Sequence, residues 1–347
     1  LRFRAIGASD LGSQLIATIV AIVLAASGAG LWALVAQQVV SALAAATICV
    51  ALAGWWPKLP HRHASVRRFL RFGAGVFGTQ GISYLTKNVD NIAIGAVYGP
   101  TPLGLYSRAY QLMMMPLNQI NAPMTNVAVP VLSRVQHDDR LFVDYLRKSQ
   151  LVACYVTATL FAVATGLAEP IVLVLFGKAW SAVTPLFAIL AVGGVFRAVA
   201  QIAYWAYLAR GASGALFRQR LVTGPLTIGF ILAGLPWGAA GVAWGASAAG
   251  LMAWLVAVIH VGRVTGFDSS PLIWNATRIV VSVGVPCGLV SFSATLLAVT
   301  PILQIVLGLA FSAAYVGLAY ALIPLVRQDL DLTLSFARRA FTRTRPA

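Results

Sequence analysis

Ten apolar stretches, most near the ~20 residues a helix needs to cross a bilayer, leave few folds open to this chain. They run from Asp10 to Ala29, Leu31 to Ala53, Phe72 to Val97, Leu103 to Leu132, Gln150 to Leu167, Val183 to Leu208, Leu221 to Leu235, Gly238 to Val261, Ala276 to Val299 and Ile302 to Val326. In lipid, every backbone N–H and C=O must find a partner inside the structure, and a helix satisfies its own. Only 10% of the 347 residues are charged against 59% hydrophobic, and mean hydropathy is +0.84. Soluble domains carry about a quarter charged residues. The expected fold is an all-α integral membrane protein of about ten transmembrane helices.

A net charge of +16 would suit nucleic acid only if the basic residues were gathered on a solvated face. They are instead sorted by loop. Of the 25 Lys and Arg, 21 fall at the termini or in alternate connections, among them Arg2, Lys58, Arg62, Arg134, Arg210, Arg263, Arg338 and Arg345, while Lys178 alone lies in an opposite one. The positive-inside rule then puts both termini in the cytoplasm. The charge is topological, and no nucleic-acid partner is expected.

Three motifs carry no chemistry. His61 and His63 lack a nearby Cys or carboxylate to complete a metal set, so no metal site is expected. Gly73, Gly75 and Gly78 match G-x-G-x-x-G without the preceding strand that a dinucleotide fingerprint requires. Cys49, Cys154 and Cys287 fall inside apolar spans as small packing residues rather than as a disulfide framework. Trp55 and Trp56, followed by the basic run Lys58 to Arg71, mark a cytoplasmic interface and a boundary between lobes.

The polar residues inside the third and fourth spans are the informative ones, because intramembrane charge is costly. Gln80, Tyr84, Lys87, Asn88 and Asn91 recur at three-and-four spacing with Asp90 beside them; Arg108, Gln111, Asn118, Asn121 and Thr125 answer on the next helix. At 1.5 Å rise per residue from the turn at Tyr98 to Leu103, Asp90 and Arg108 reach similar depth and are placed to pair. A structural pair accounts for those two but leaves Lys87 over, and the stripes are longer than one pair needs. A hydrated cavity accounts for all of them. In the sixth span Arg197, Gln201 and Trp205 share a face, suited to a phosphate and a sugar ring; snorkelling or an interhelical hydrogen bond is the alternative.

The runs GAGLWALVAQQVV from Gly28, NVDNIAIG from Asn88, LGLYSRAYQL from Leu103, VPVLSRVQ from Val129 and LFGKAW from Leu175 resemble the polysaccharide transporter (Wzx-like) family of the MOP flippase superfamily. The resemblance implies two six-helix lobes around a central cavity with two further C-terminal helices. On that plan, 1–56 holds the last two helices of the first lobe, 57–71 a basic cytoplasmic linker, 72–262 the second lobe, 263–326 two additional helices and 327–347 a basic cytoplasmic tail. On the same plan, four preceding helices, half of the cavity wall, are expected to be missing from this chain.

The resemblance also implies a function. The protein would sit in the bacterial cytoplasmic membrane and flip a polyprenyl-diphosphate-linked oligosaccharide by alternating access, among membrane lipids and alongside glycan polymerase and export machinery. Lys87, Arg108 and Arg197 would meet the diphosphate, Gln111, Asn118, Gln201 and Trp205 the sugars, and Asp90 would couple an ion or form an ion pair. No cofactor is needed. No paired carboxylates or nucleophile set suggest an enzyme. A cation-coupled multidrug exporter of the same superfamily and an inactive truncated fragment are the alternatives.

Overall fold

The computed structural model describes residues 3–53 and 84–342, position 86 apart. The Trp55–Trp56 pair, the 57–71 linker with His61 and His63, Gly73, Gly75, Gly78 and Gln80, and the last basic residues Arg343 and Arg345 lie outside the described residues. The chain divides into two units, Leu1–Val76 and Phe77–Ala347.

The first unit is a helical hairpin, α1 (Phe3–Ala26) and α2 (Trp32–Ala53). Gly28 and Gly30 turn the chain with φ of 86° and 53°, angles that L side chains resist. The helices meet through small and polar groups: the Ser9 hydroxyl lies 3.3 Å from Cys49 Sγ, and Gly12 faces Ile48. Their outer surfaces are apolar and exposed, including Leu11, Ile19, Leu34 and Leu43.

The second unit's described residues open with α3, helical over 84–85 and 87–98, and turn at Gly99, φ 81°, into the 35-residue α4 (Pro100–Arg134). Pro100 suits a first helical position, where its missing N–H is not needed. Asp138 caps α5 (Asp139–Gly166), its carboxylate accepting from the Leu141 amide at 3.0 Å. Then follow α6 (Ala168–Phe176), α7 (Val183–Ala209), α8 (Ser213–Gly234) and α9 (Gly238–Thr265). Next come α10 (Ser270–Ile279), a π-helical turn over Val280–Gly284, α11 (Val285–Ser293), α12 (Pro301–Leu322) and α13 (Pro324–Thr342).

This is the all-helical membrane architecture expected, with differences in detail. Seven stretches of the described residues are long and apolar enough to span a bilayer, one of them, Ser213–Thr265, covering both α8 and α9. The fifth stretch, expected from Gln150, is only the later part of α5, because the Asp138 cap starts the helix well before its apolar part. The tail from 327 is helical to Thr342. The ninth span is two helices joined by the π turn, since Pro286 has no N–H for the Ser282 carbonyl; Tyr315 of α12 donates to that oxygen at 2.8 Å instead. Helices α10 to α13 belong to the same compact unit as α4 to α9.

The core of this unit is built around α7, which touches α4, α5, α6, α8 and α9. Two adjacent glycines make that possible. A Cβ at Gly193 would lie 2.8 Å from the Ser247 Cα of α9, and one at Gly194 would lie 2.7 Å from the Phe161 ring of α5. Small residues let helix backbones approach closely where lipid offers no hydrophobic drive for association. Ser247 uses the proximity to donate to the Ile189 carbonyl at 2.9 Å.

Gly193→Ala should destabilise the protein by about 1–3 kcal/mol, read as a lowered midpoint of thermal unfolding in detergent. Gly229→Ala on α8, where a Cβ meets nothing within 4 Å, should stay within about 0.5 kcal/mol of the parent. Equal midpoints for the two variants would remove the close approach as the organising contact.

Candidate functional site

Helix α4 has two faces of opposite character. Tyr106, Ala109, Met113 and Leu117 are buried against the rest of the unit, while Arg108, Gln111 and Asn118 are exposed. At 100° per residue, Arg108 stands about 200° around the axis from Tyr106. Depth was therefore the same for Asp90 and Arg108, but direction was not, and the expected pair does not form.

Asp90 is instead buried, 3% exposed, and held by neutral donors. The Tyr106 hydroxyl donates to its Oδ2 at 2.8 Å and the Asn91 amide to its Oδ1 at 2.9 Å. Asn91 Oδ1 accepts from Ser107 at 3.2 Å, so α3 and α4 are stitched by adjacent residues of each. Arg108 Nη1 donates along its own helix to Gln111 at 3.0 Å. Lys87 is exposed on α3.

Arg197 lies on the row of α7 that starts at Gly193, and Gln201 and Trp205 follow on the same row at four-residue intervals. Its Nη1 donates to the Tyr110 hydroxyl at 2.9 Å, and its guanidinium carbon sits 5.3 Å from that ring's centre. The stem runs over Gly250, whose Cβ would come within 3.5 Å of the Arg197 Cγ. Tyr110 is stacked on Tyr106, centroids 6.1 Å apart. A polar chain thus runs from Asp90 through two tyrosine rings to Arg197.

Lower on the same interface, Thr125 Oγ1 accepts from Gln201 at 3.2 Å and from the Trp205 indole at 2.8 Å while donating to the Asn121 carbonyl at 2.7 Å. Trp205 is 1% exposed. The candidate residues therefore fall into two groups. Lys87, Arg108, Gln111 and Asn118 face outward, and Asp90, Arg197, Gln201 and Trp205 lock α3, α4 and α7 together. Tyr106 and Tyr110, missed in the sequence, hold Asp90 and Arg197 of the second group; their four-residue spacing, on the opposite side of α4 from Arg108, was the available sign.

Comparison with known proteins bears on what these groups do. A family model described as polysaccharide biosynthesis protein matches residues 1–185. Over 191 residues the chain is 27% identical to the succinoglycan biosynthesis transport protein ExoT of Rhizobium meliloti (strain 1021), covering 55% of this chain and 39% of that protein. It is 26% identical to the teichuronic acid biosynthesis protein TuaB of Bacillus subtilis (strain 168) over 47% of this chain and 34% of that one. Identity to the lipopolysaccharide biosynthesis protein WzxC of Escherichia coli (strain K12) is 28%, over 41% of this chain and 29% of its relative. The matches thus span under two fifths of these curated relatives. The solved structure of lipid II flippase MurJ, in an inward closed conformation, superposes with a TM-score of 0.68 at 18% identity, covering 89% of this chain and 67% of that one. The two share a fold.

Thr125→Val strands two donors at once, the indole N–H of a buried Trp and the Gln201 amide, and should cost about 1–3 kcal/mol. Arg108→Gln, on the exposed face, should stay within about 0.5 kcal/mol. Differential thermal unfolding of the two variants checks the division into a locking and an outward group, and the reverse order would refute it.

Proposed function

The chain belongs to the polysaccharide biosynthesis protein family, and from that membership we propose that it forms the second lobe of a flippase with the last helices of the first. The cargo is a polyprenyl-diphosphate-linked oligosaccharide, turned across the bacterial cytoplasmic membrane by alternating access. One observation carries this reading: α4 exposes Arg108, Gln111 and Asn118 level with the middle of α7, a 27-residue helix apolar enough to span the bilayer. The level is fixed by the Tyr110–Arg197 and Thr125–Trp205 contacts. A guanidinium and two amides at that depth, turned away from the core, suit a wet wall rather than lipid.

Arg108, with Lys87 on α3, offers positive potential to the diphosphate, and Gln111 and Asn118 offer hydrogen bonds to sugar hydroxyls. Arg197, half-buried and held by Tyr110, adds charge from behind the wall, and Gln201 and Trp205 keep α7 in register with it. Asp90 is the carboxylate through which an ion gradient acts, reached through Tyr106. The termini lie in the cytoplasm, with 57–71 as the linker between lobes and 263–326 as two added membrane spans beyond the six of the lobe at 72–262. A glycan polymerase and export machinery take the product onward. Nothing in this scheme breaks a covalent bond, so the protein is not an enzyme and uses no cofactor. Three cations against one carboxylate disfavour a cationic cargo and with it the multidrug-exporter alternative.

In a bacterial host lacking its own exporter of this class, the protein in its natural context should restore surface polysaccharide. Arg108→Gln should cut export about 10- to 100-fold, the worth of one charge-assisted contact, with unchanged membrane levels. Export untouched by Arg108→Gln and Lys87→Gln together would overturn the diphosphate reading, and absence of export by the parent would favour an inactive fragment.

A further inference from the structure

Helix α13 begins where α12 stops spanning. Ile323 leaves the helical region, φ −107° and ψ 104°, and Pro324, with no N–H to continue the ladder, starts the chain in a new direction. One side of α13 is fixed to the protein. Val326 is buried and Leu330 packs on the core, and Asp329 accepts from Arg278 of α10 and, at 3.0 Å, from Tyr155 of α5.

The rest of its described surface is divided. Leu325, 53% exposed, continues the exposed apolar surface of α12 at Leu318 and Leu322. Arg327 turns back over the Tyr320 ring, 5.8 Å from its centre, and Tyr320 donates to Asp331 at 2.9 Å. On α10, one turn before Arg278, Trp274 is 67% exposed. An exposed Trp near the end of a spanning segment marks headgroup depth. Carried along the helix at 100° per residue, positions 334, 337, 340 and 341, all apolar, fall with Val326 and Leu330, whereas Arg338 and Arg339 fall with Arg327 and Gln328. From Pro324 to the end there are five arginines and two aspartates, and Asp329 is already matched by Arg278.

We propose that α13 is an interfacial helix that lies along the bilayer surface and binds anionic phospholipid headgroups through Arg327, Arg338 and Arg339. Through positions 332 and 336, which fall with Leu325 at 100° per residue, the apolar arc continues to the exposed surface of α12, which selects lipid over a water-facing partner, and the excess of arginine on the opposite arc selects an anionic leaflet. The Arg278–Asp329–Tyr155 clamp sets the depth and direction of the first two turns, and lipid holds the remainder. This placement involves no cargo and stands apart from the transport reading.

The test uses the whole protein with Cys49→Ser, since Cys154 and Cys287 are buried, and a spin label at Ser335→Cys or at Ala340→Cys. These positions lie on opposite arcs. Vesicles of phosphatidylcholine, with or without one part in three of phosphatidylglycerol, supply the two surfaces. In the anionic vesicles the label at 340 should collide chiefly with oxygen and that at 335 chiefly with a water-soluble nickel complex. Each of Arg327→Gln, Arg338→Gln and Arg339→Gln should lower the docked-to-free ratio about fivefold, near 1 kcal/mol per arginine, and high salt should do the same to the parent. Equal exposure to nickel at both positions in anionic vesicles would overturn the proposal. A contrast indifferent to phosphatidylglycerol and to salt would overturn the anionic-lipid assignment, and one that needs added cytosolic protein would assign the face to a protein partner instead.

Discussion

The second unit depends on the narrow waist of α7 at Gly193 and Gly194. Consecutive residues of a helix point about 100° apart, so two adjacent glycines clear space toward two different neighbours, one for a helix backbone and one for an aromatic ring. Gly193 admits Ser247 of α9 and Gly194 admits Phe161 of α5, so α7 is gripped from two directions at one level. The described polar contacts between α7 and α4 hang from that level downward, on the row that continues through Arg197, Gln201 and Trp205. The rotation of α4, and with it the direction in which Arg108 faces, follows from that row, through Tyr110 on Arg197 and Thr125 on Gln201 and Trp205.

That dependence explains why the buried and exposed polar residues of α4 do different work. In lipid, apolar burial between helices gains little, since the tails are as apolar as leucine, and the specificity of a helix pair rests on close packing and hydrogen bonds. Thr125 bonding to both Gln201 and Trp205, and Tyr110 bonding to Arg197, fix the rotation of α4. Once rotation is fixed, a polar residue on the far side cannot retreat into the core. Asp90 shows the converse: a carboxylate that is buried needs donors, and Tyr106 and the Asn91 amide supply them without a cation.

Much of this was legible in the sequence, and what was not has a physical reason. Apolar length is a property of single segments, so α7 was placed almost to its ends, from Val183 to its last turn. Helical continuity across the membrane surface leaves no such mark: α5 runs straight from the solvated Asp139 to Gly166, and the change of composition near Gln150 looked like a boundary. Spacing gave the depth of Asp90 and Arg108 correctly but could not give azimuth relative to a neighbour, which depends on where α7 presses. The tyrosines escaped attention because aromatic residues in a span are ordinarily core, and here they are both core and hydrogen-bonding groups.

The prolines of α4 complete the argument. Pro116, Pro123 and Pro130 lie inside the helix at intervals of seven, which drifts only about 20° per step, so they form one stripe. Each removes the α-helical donor of the carbonyl four residues before it, at Leu112, Gln119 and Asn126. The stripe lies on neither the buried face of Tyr106 and Leu117 nor the outward face of Gln111 and Asn118, but on the flank away from Thr125. A helix weakened three times along one line resists bending only as well as its lateral contacts allow. The contacts that orient α4, at Tyr110 and Thr125, bracket Pro116 and Pro123, so the same two hydrogen-bonded anchors that aim the polar face also keep the helix continuous between them.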